Sequence, residues 1–133
     1  MPTMKSILFI ILSLLSTSLL ADVNSWECRK FEGAKIIASD GTYLGKLGPK
    51  WESDSIFNDS SEHSTTWSSR SIFNSSSDHG NSYSNDSVFN ESAPTPPRLI
   101  SEAGEEIGKL STGPNWDSER YDPNDIKYTC DWD

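Results

Sequence analysis

Aliphatic side chains are scarce in this sequence. Between residues 22 and 133, Leu, Ile, Val and Phe fill 17 of 112 positions, below the ~20% at which a strongly charged chain ordinarily stays unfolded. That excludes a large enzyme with a deep core and a membrane-spanning body. Basic residues are scarce as well: 11 Lys and Arg stand against 20 Asp and Glu, a net charge of −9. This excludes a nucleic-acid binder working through a basic surface. Cysteine is limited to Cys28 and Cys130, 102 positions apart, with no Cys-x-x-Cys and no metal-ligand spacing.

What is there begins with an export signal. Lys5 supplies a positive start, Ile7 to Leu20 is apolar apart from Ser and Thr, and Ala21 offers a small residue for cleavage before Asp22. The apolar stretch is short against the ~20 residues a bilayer needs. Residues 1–21 are therefore read as a cleaved signal peptide, leaving 22–133 as one small domain in the periplasm or secreted space, with no membrane insertion after cleavage. In an oxidising compartment the two cysteines are expected to form one disulfide across the ends of the mature chain. Trp26 and Cys28 share parity, as do Tyr128, Cys130 and Trp132, so both flanks read as strands. The expectation is a terminal antiparallel pair with Trp26 opposite Trp132, and a C-terminal strand segment in 116–133.

Two internal repeats organise the rest. Residues 36–54 realign with 99–119 once Ser111-Thr112 is treated as an insertion, and the matches include Gly41/Gly104, Gly45/Gly108, Leu47/Leu110, Pro49/Pro114 and Trp51/Trp116. Each copy reads as a β-hairpin, 36–47 and 99–110, turning at Asp40-Gly41 and Ala103-Gly104. A two-residue turn would set Ile37 opposite Leu44 and Ile100 opposite Ile107. Gly45 and Gly108 inside the returning strands suggest a bulge or a backbone lying close. One hairpin alone is marginal in water, so the two are expected to share a small sheet.

The second repeat is tandem, three units of 16 residues over 51–98. Trp51, Trp67 and Tyr83 occupy one position, Phe57, Phe73 and Phe89 another, and Asn58, Asn74 and Asn90 follow each Phe. Fifteen of these 48 residues are Ser, yet a plain Ser-rich linker would not space large aromatics evenly. The Ser-Ile/Val-Phe-Asn core reads as a short turn that Ser opens and Asn closes. With so few aliphatics, the Trp51, Trp67 and Tyr83 rings are expected to serve as core. Pointing outward instead, they would make a ladder of flat faces suited to sugar rings or an extended polymer, and they are the candidate binding residues.

The DG turn followed by Tyr43-Leu44-Gly45, the Ser-Ile-Phe-Asn of 55–58 and 71–74, the Ser-Val-Phe-Asn of 87–90, Pro96-Pro97, and Ile107-Gly108-Lys109-Leu110 together resemble a known layout. It is that of small exported bacterial proteins of uncharacterised function, with DG-turn hairpins flanking tandem Ser-Ile-x-Asn units. The resemblance spans roughly residues 36–110 and implies an organisation, without functional residues to carry over. The Tyr-Gly-Ser step between such units is absent here apart from Gly80 to Ser82.

Chemistry-bearing motifs are few. His63 and His79 lie one repeat apart, each preceded by an acid, and read as exposed loop positions with too few ligands for a metal. There is no Gly-x-Ser-x-Gly, no Ser-x-x-Lys and no calcium loop. Asn58, Asn74, Asn85 and Asn90 begin Asn-x-Ser sequons, which matter only in a eukaryotic source. The expected object is mainly β: two homologous hairpins in a small sheet, flanking three turn-rich repeats, with the termini joined by Cys28–Cys130. The expected role is non-enzymatic, without metal or cofactor. It would be an exported structural or interaction protein with an unidentified protein or polysaccharide partner, or alternatively a carbohydrate- or polymer-binding module.

Overall fold

Both sequence copies fold into hairpins, and the hairpins meet edge to edge. The computed structural model describes residues 25–114, 117 and 119–132; the expected signal peptide 1–21, and Trp116 and Ser118 of the second copy, lie outside the described residues. Strands β1 (Lys35–Ile37) and β2 (Tyr43–Lys46) form the first hairpin, β3 (Arg98–Ile100) and β4 (Glu106–Leu110) the second. A short β5 (Arg120–Tyr121) completes a five-stranded mixed sheet of order β2-β1-β3-β4-β5. β1 and β3 run antiparallel, with Ile36 opposite Leu99, and β5 lies parallel to β4.

The hairpin register differs from the two-residue turn by one position. Ala38 N–H donates to the Thr42 carbonyl and Gly41 N–H to Ala38, with Gly41 at φ 90°. That is a type I turn closed by a left-handed glycine, a three-residue loop. Ile37 therefore faces Tyr43, not Leu44. The second copy repeats this arrangement through Ser101, Glu105 and Gly104, and Ile100 faces Glu106, not Ile107. The shift suits the core, because Ile36 and Leu44 are both fully buried as a result. The close approach at the second glycine pair is present. A Cβ on Gly45 would lie 2.8 Å from the His63 side chain and 2.9 Å from the Asp54 carbonyl, and one on Gly108 would meet the Tyr121 ring at 2.6 Å.

The cysteine-bearing segments expected as terminal strands are helices instead, and within 116–133 only β5 is strand among the described residues. Ser25–Phe31 forms α1 and Pro123–Cys130 forms α2. Asp122 caps α2 by accepting from Asn124 N–H, Pro123 opens it, and Asp131 closes it in the left-handed conformation. These are strong local helix signals, and they outweigh parity at alternate residues. Cys28–Cys130 bridges the two helices, with Cα atoms 5.6 Å apart. Trp26 sits exposed on α1 rather than on a strand, while the Trp132 ring is buried and lies 6.4 Å from that of Phe57. The core gathers Phe31, Ile36, Leu44, Leu47, Leu99, Leu110 and Ile126 from sheet and helices, and Ile56, Ile72 and Val88 from the segment between the hairpins.

Candidate functional site

Residues 49–95 carry no α-helix and no named strand among the described residues, so their backbone polar groups need other partners. They find them in turns spaced three residues apart. N–H groups of Glu52, Ser55, Asn58, Ser61 and Ser64 each donate to the carbonyl three residues back, and those of Ser71, Asn74, Ser77 and Gly80 do the same. Ser84, Ser87 and Ala93 continue the pattern. A turn of this kind strands the N–H two residues after its first member. The side chain at that first member takes it: Ser55 accepts from Phe57, Asn58 from Ser60, Ser71 from Phe73, Asn74 from Ser76, Ser87 from Phe89 and Asn90 from Ser92. Each Asn also donates its Nδ2 to the carbonyl six residues back, at Glu52, Ser68 and Ser84. Sequence inspection at a period of 16 missed this inner period of three, although Ser and Asn at 55, 58, 61 and 64 display it.

The serine expected to open each turn is therefore deeply placed. Ser55, Ser71 and Ser87 are fully buried, and the next residues, Ile56, Ile72 and Val88, point into the core. Phe57 is buried, while Phe73 and Phe89 are half-buried, 5.9 Å apart and packed on the core cluster. The ends of the segment are tied to the hairpins. Ile56 N–H donates to Lys46 of β2, and Thr112 beyond β4 donates to the Val88 carbonyl from both its N–H and its hydroxyl. Between them, His63 Nδ1 donates to the Arg70 carbonyl and Val88 N–H to His79.

The expectation that the repeated Trp and Tyr form the interior is overturned. Trp51, Trp67 and Tyr83 are 77%, 79% and 91% exposed. The aliphatic residue five positions later, Ile56, Ile72 or Val88, takes the inward place. The histidines are reversed as well: His63 and His79 are buried rather than exposed loop positions. His63 packs edge-on against Tyr43 over Gly45, with ring centroids 5.1 Å apart, where no larger residue than glycine fits. No group of three or more His, Cys, Asp or Glu that could hold a metal exists among the described residues.

Beside His63, Tyr43 donates its hydroxyl to Asp54 at 3.1 Å. Burial first, and then that carboxylate, push the Tyr43 phenol from 10.0 up to about 12. The folded chain thus keeps a proton that the unfolded chain has already lost. Its stabilisation is complete below pH 10.0 and disappears as the pH rises to about 12. In an absorbance titration the Tyr43 phenol should ionise late, and Tyr43→Phe should remove that late step. Absence of any late step would contradict the Tyr43–Asp54 contact.

Exposed polar residues neighbour each of the three rings in sequence. Thr66 and Ser82 precede the second and third rings and are exposed, as are Ser53, Ser69 and Asn85 two residues after each ring. Asp86, further along, accepts from Ser39 and Thr95, and the Thr95 hydroxyl and then that of Ser39 hold its carboxyl below the ordinary range. Flat aromatic faces flanked by hydroxyls and amides can stack on a ring and hydrogen-bond its substituents. No protein-family model, no curated protein and no solved structure matches the chain.

Proposed function

We propose that the chain is a non-enzymatic exported interaction protein, and that its row of Trp51, Trp67 and Tyr83 binds an extended polymer of the carbohydrate class. The observation that carries this reading is the exposure of three large rings at one position of a 16-residue sequence period. Burying rings of this size inside would have been favourable, at about 25 cal/mol per Å² of apolar surface, yet all three face solvent. A row of exposed aromatics costs solubility unless something uses it.

In this reading the three sequence units are successive coils of a short stack, each burying its Ser and Ile/Val and presenting its Trp or Tyr. Phe73 and Phe89, at equivalent positions of the second and third units, lie with ring centroids 5.9 Å apart, as stacking of these units requires. The row ends at Tyr83, because the residue one period further on is Leu99, fully buried in β3. The Cys28–Cys130 bridge fits an exported protein, and no helix among the described residues is long and apolar enough to cross a membrane.

The test is direct. Tryptophan emission of the free chain should be red-shifted and should move on adding a soluble glycan. Trp51→Ala and Trp67→Ala should each weaken binding about 10-fold, or ~1.4 kcal/mol, as expected of aromatic anchors. Trp26→Ala, an equally exposed tryptophan on α1, should leave binding unchanged. Equal losses from all three variants, or no emission change with any glycan, would sink the reading.

A further inference from the structure

We infer that the aromatic row selects an uncharged, hydroxylated polymer (a neutral glycan) over both polyanions and polycations. The inference rests on the reading that this row binds a polymer, and adds which chemistry it accepts.

Within four residues of Trp51, Trp67 and Tyr83 the Lys, Arg, Asp and Glu residues are Lys50, Arg70, Glu52, Asp54 and Asp86. Most of these are already engaged: Arg70 pairs with Glu62 at 3.7 Å, Glu52 with Lys46 at 2.8 Å, Asp54 takes the Tyr43 hydroxyl, and Asp86 takes those of Ser39 and Thr95. The remainder of each unit holds Asp59, Glu62, Asp78 and Glu91, all exposed, with no Lys or Arg among residues 57–65, 73–81 and 89–97.

The consequences differ by ligand. A polyanion approaching the row meets a chain of net charge −9 and no unmatched cluster of bases. A polycation is drawn to the exposed Asp59, Asp78 and Glu91, each five or more residues in sequence from a ring. Beside the rings themselves, Ser53, Ser69, Asn85, Thr66 and Ser82 offer uncharged donors and acceptors, the complement of sugar hydroxyls. Stacking with neutral hydrogen bonds loses little to salt, whereas contacts between exposed charges are screened within ~10 Å at 0.1 M.

The experiment uses the full chain, expressed in an exporting host and oxidised, with three soluble polymers of matched length: a neutral mixed-linkage glucan, polygalacturonate and chitosan. Binding is followed by tryptophan emission at about 20 mM and about 1 M salt, where the screening length falls to ~3 Å. Glucan affinity should change less than about 2-fold with salt and should depend on Trp67. Polygalacturonate should bind at least ~10-fold more weakly at low salt, and any chitosan binding should be salt-sensitive and indifferent to Trp67→Ala. Arg70→Glu, on an exposed side chain, should weaken polygalacturonate further and leave glucan within about 2-fold. Polygalacturonate or chitosan binding as tightly as glucan through Trp67 overturns this inference and leaves the polymer-binding reading intact. No Trp67-dependent binding to any of the three overturns both.

Discussion

Reducing Cys28–Cys130 is expected to lower the unfolding free energy by roughly 3–5 kcal/mol, enough to unfold much of the population at 37 °C. The bridge closes a loop with a sequence separation of 102, for which chain entropy alone predicts ~4.7 kcal/mol. The helices it joins have seven and eight residues, far below the ~12–15 at which an isolated helix becomes even marginal. They hold their shape by docking Phe31, Ile126 and Trp132 on the core, and Trp132 reaches the Phe57 ring of the turn segment. Losing the bridge therefore loosens both ends of the chain and one wall of the core together. Urea unfolding of the oxidised chain, compared with the reduced chain and with a Cys28→Ser/Cys130→Ser variant, measures the effect. A shift below about 1 kcal/mol would mean that packing alone holds the helices.

The readable features were those set by local chemistry. Gly41 and Gly104 announced their turns, and Gly45 and Gly108 announced close approaches, because in each case only glycine meets the backbone demand. The cysteine pairing followed from there being only two. Harder was anything requiring a choice between two sides. The turn loop was one residue longer than the dipeptide suggested, since a left-handed glycine closes a type I turn as readily as it forms a I′ turn, and every cross-strand partner moved with it. Alternation of Trp26 with Cys28, and of Tyr128 with Cys130, imitated strands, whereas Asp122-Pro123 is a helix start within the same stretch. The even sequence spacing of Trp51, Trp67 and Tyr83 was legible, but their exposure was not. Scarcity of aliphatics argued for burying its rings, and that argument overlooked how little volume such turns enclose: Ile56, Ile72, Val88 and Phe57, with serine hydroxyls satisfying the backbone, already fill it.

That account of the interior makes Ile72→Ala the second large effect. Ile72 is fully buried in the middle unit and belongs to the core cluster shared with both hairpins. Removing its side chain beyond Cβ should cost ~2–5 kcal/mol, the range for buried Ile, with Ile72→Val at ~0.5–1.5 kcal/mol as a graded control. The upper half of the range is expected, because the flanking Ser71 and Asn74 are locked by hydrogen bonds to Phe73, Ser76 and Ser68, leaving the turn little freedom to collapse into the void. Trp67→Ala, five residues earlier, removes a larger side chain that faces solvent and should change stability by no more than about 0.5 kcal/mol. The pair discriminates sharply by urea denaturation. An ordered turn segment puts the whole cost on the isoleucine and none on the tryptophan. A solvated, unstructured tract would show neither, and rings serving as core would show the reverse.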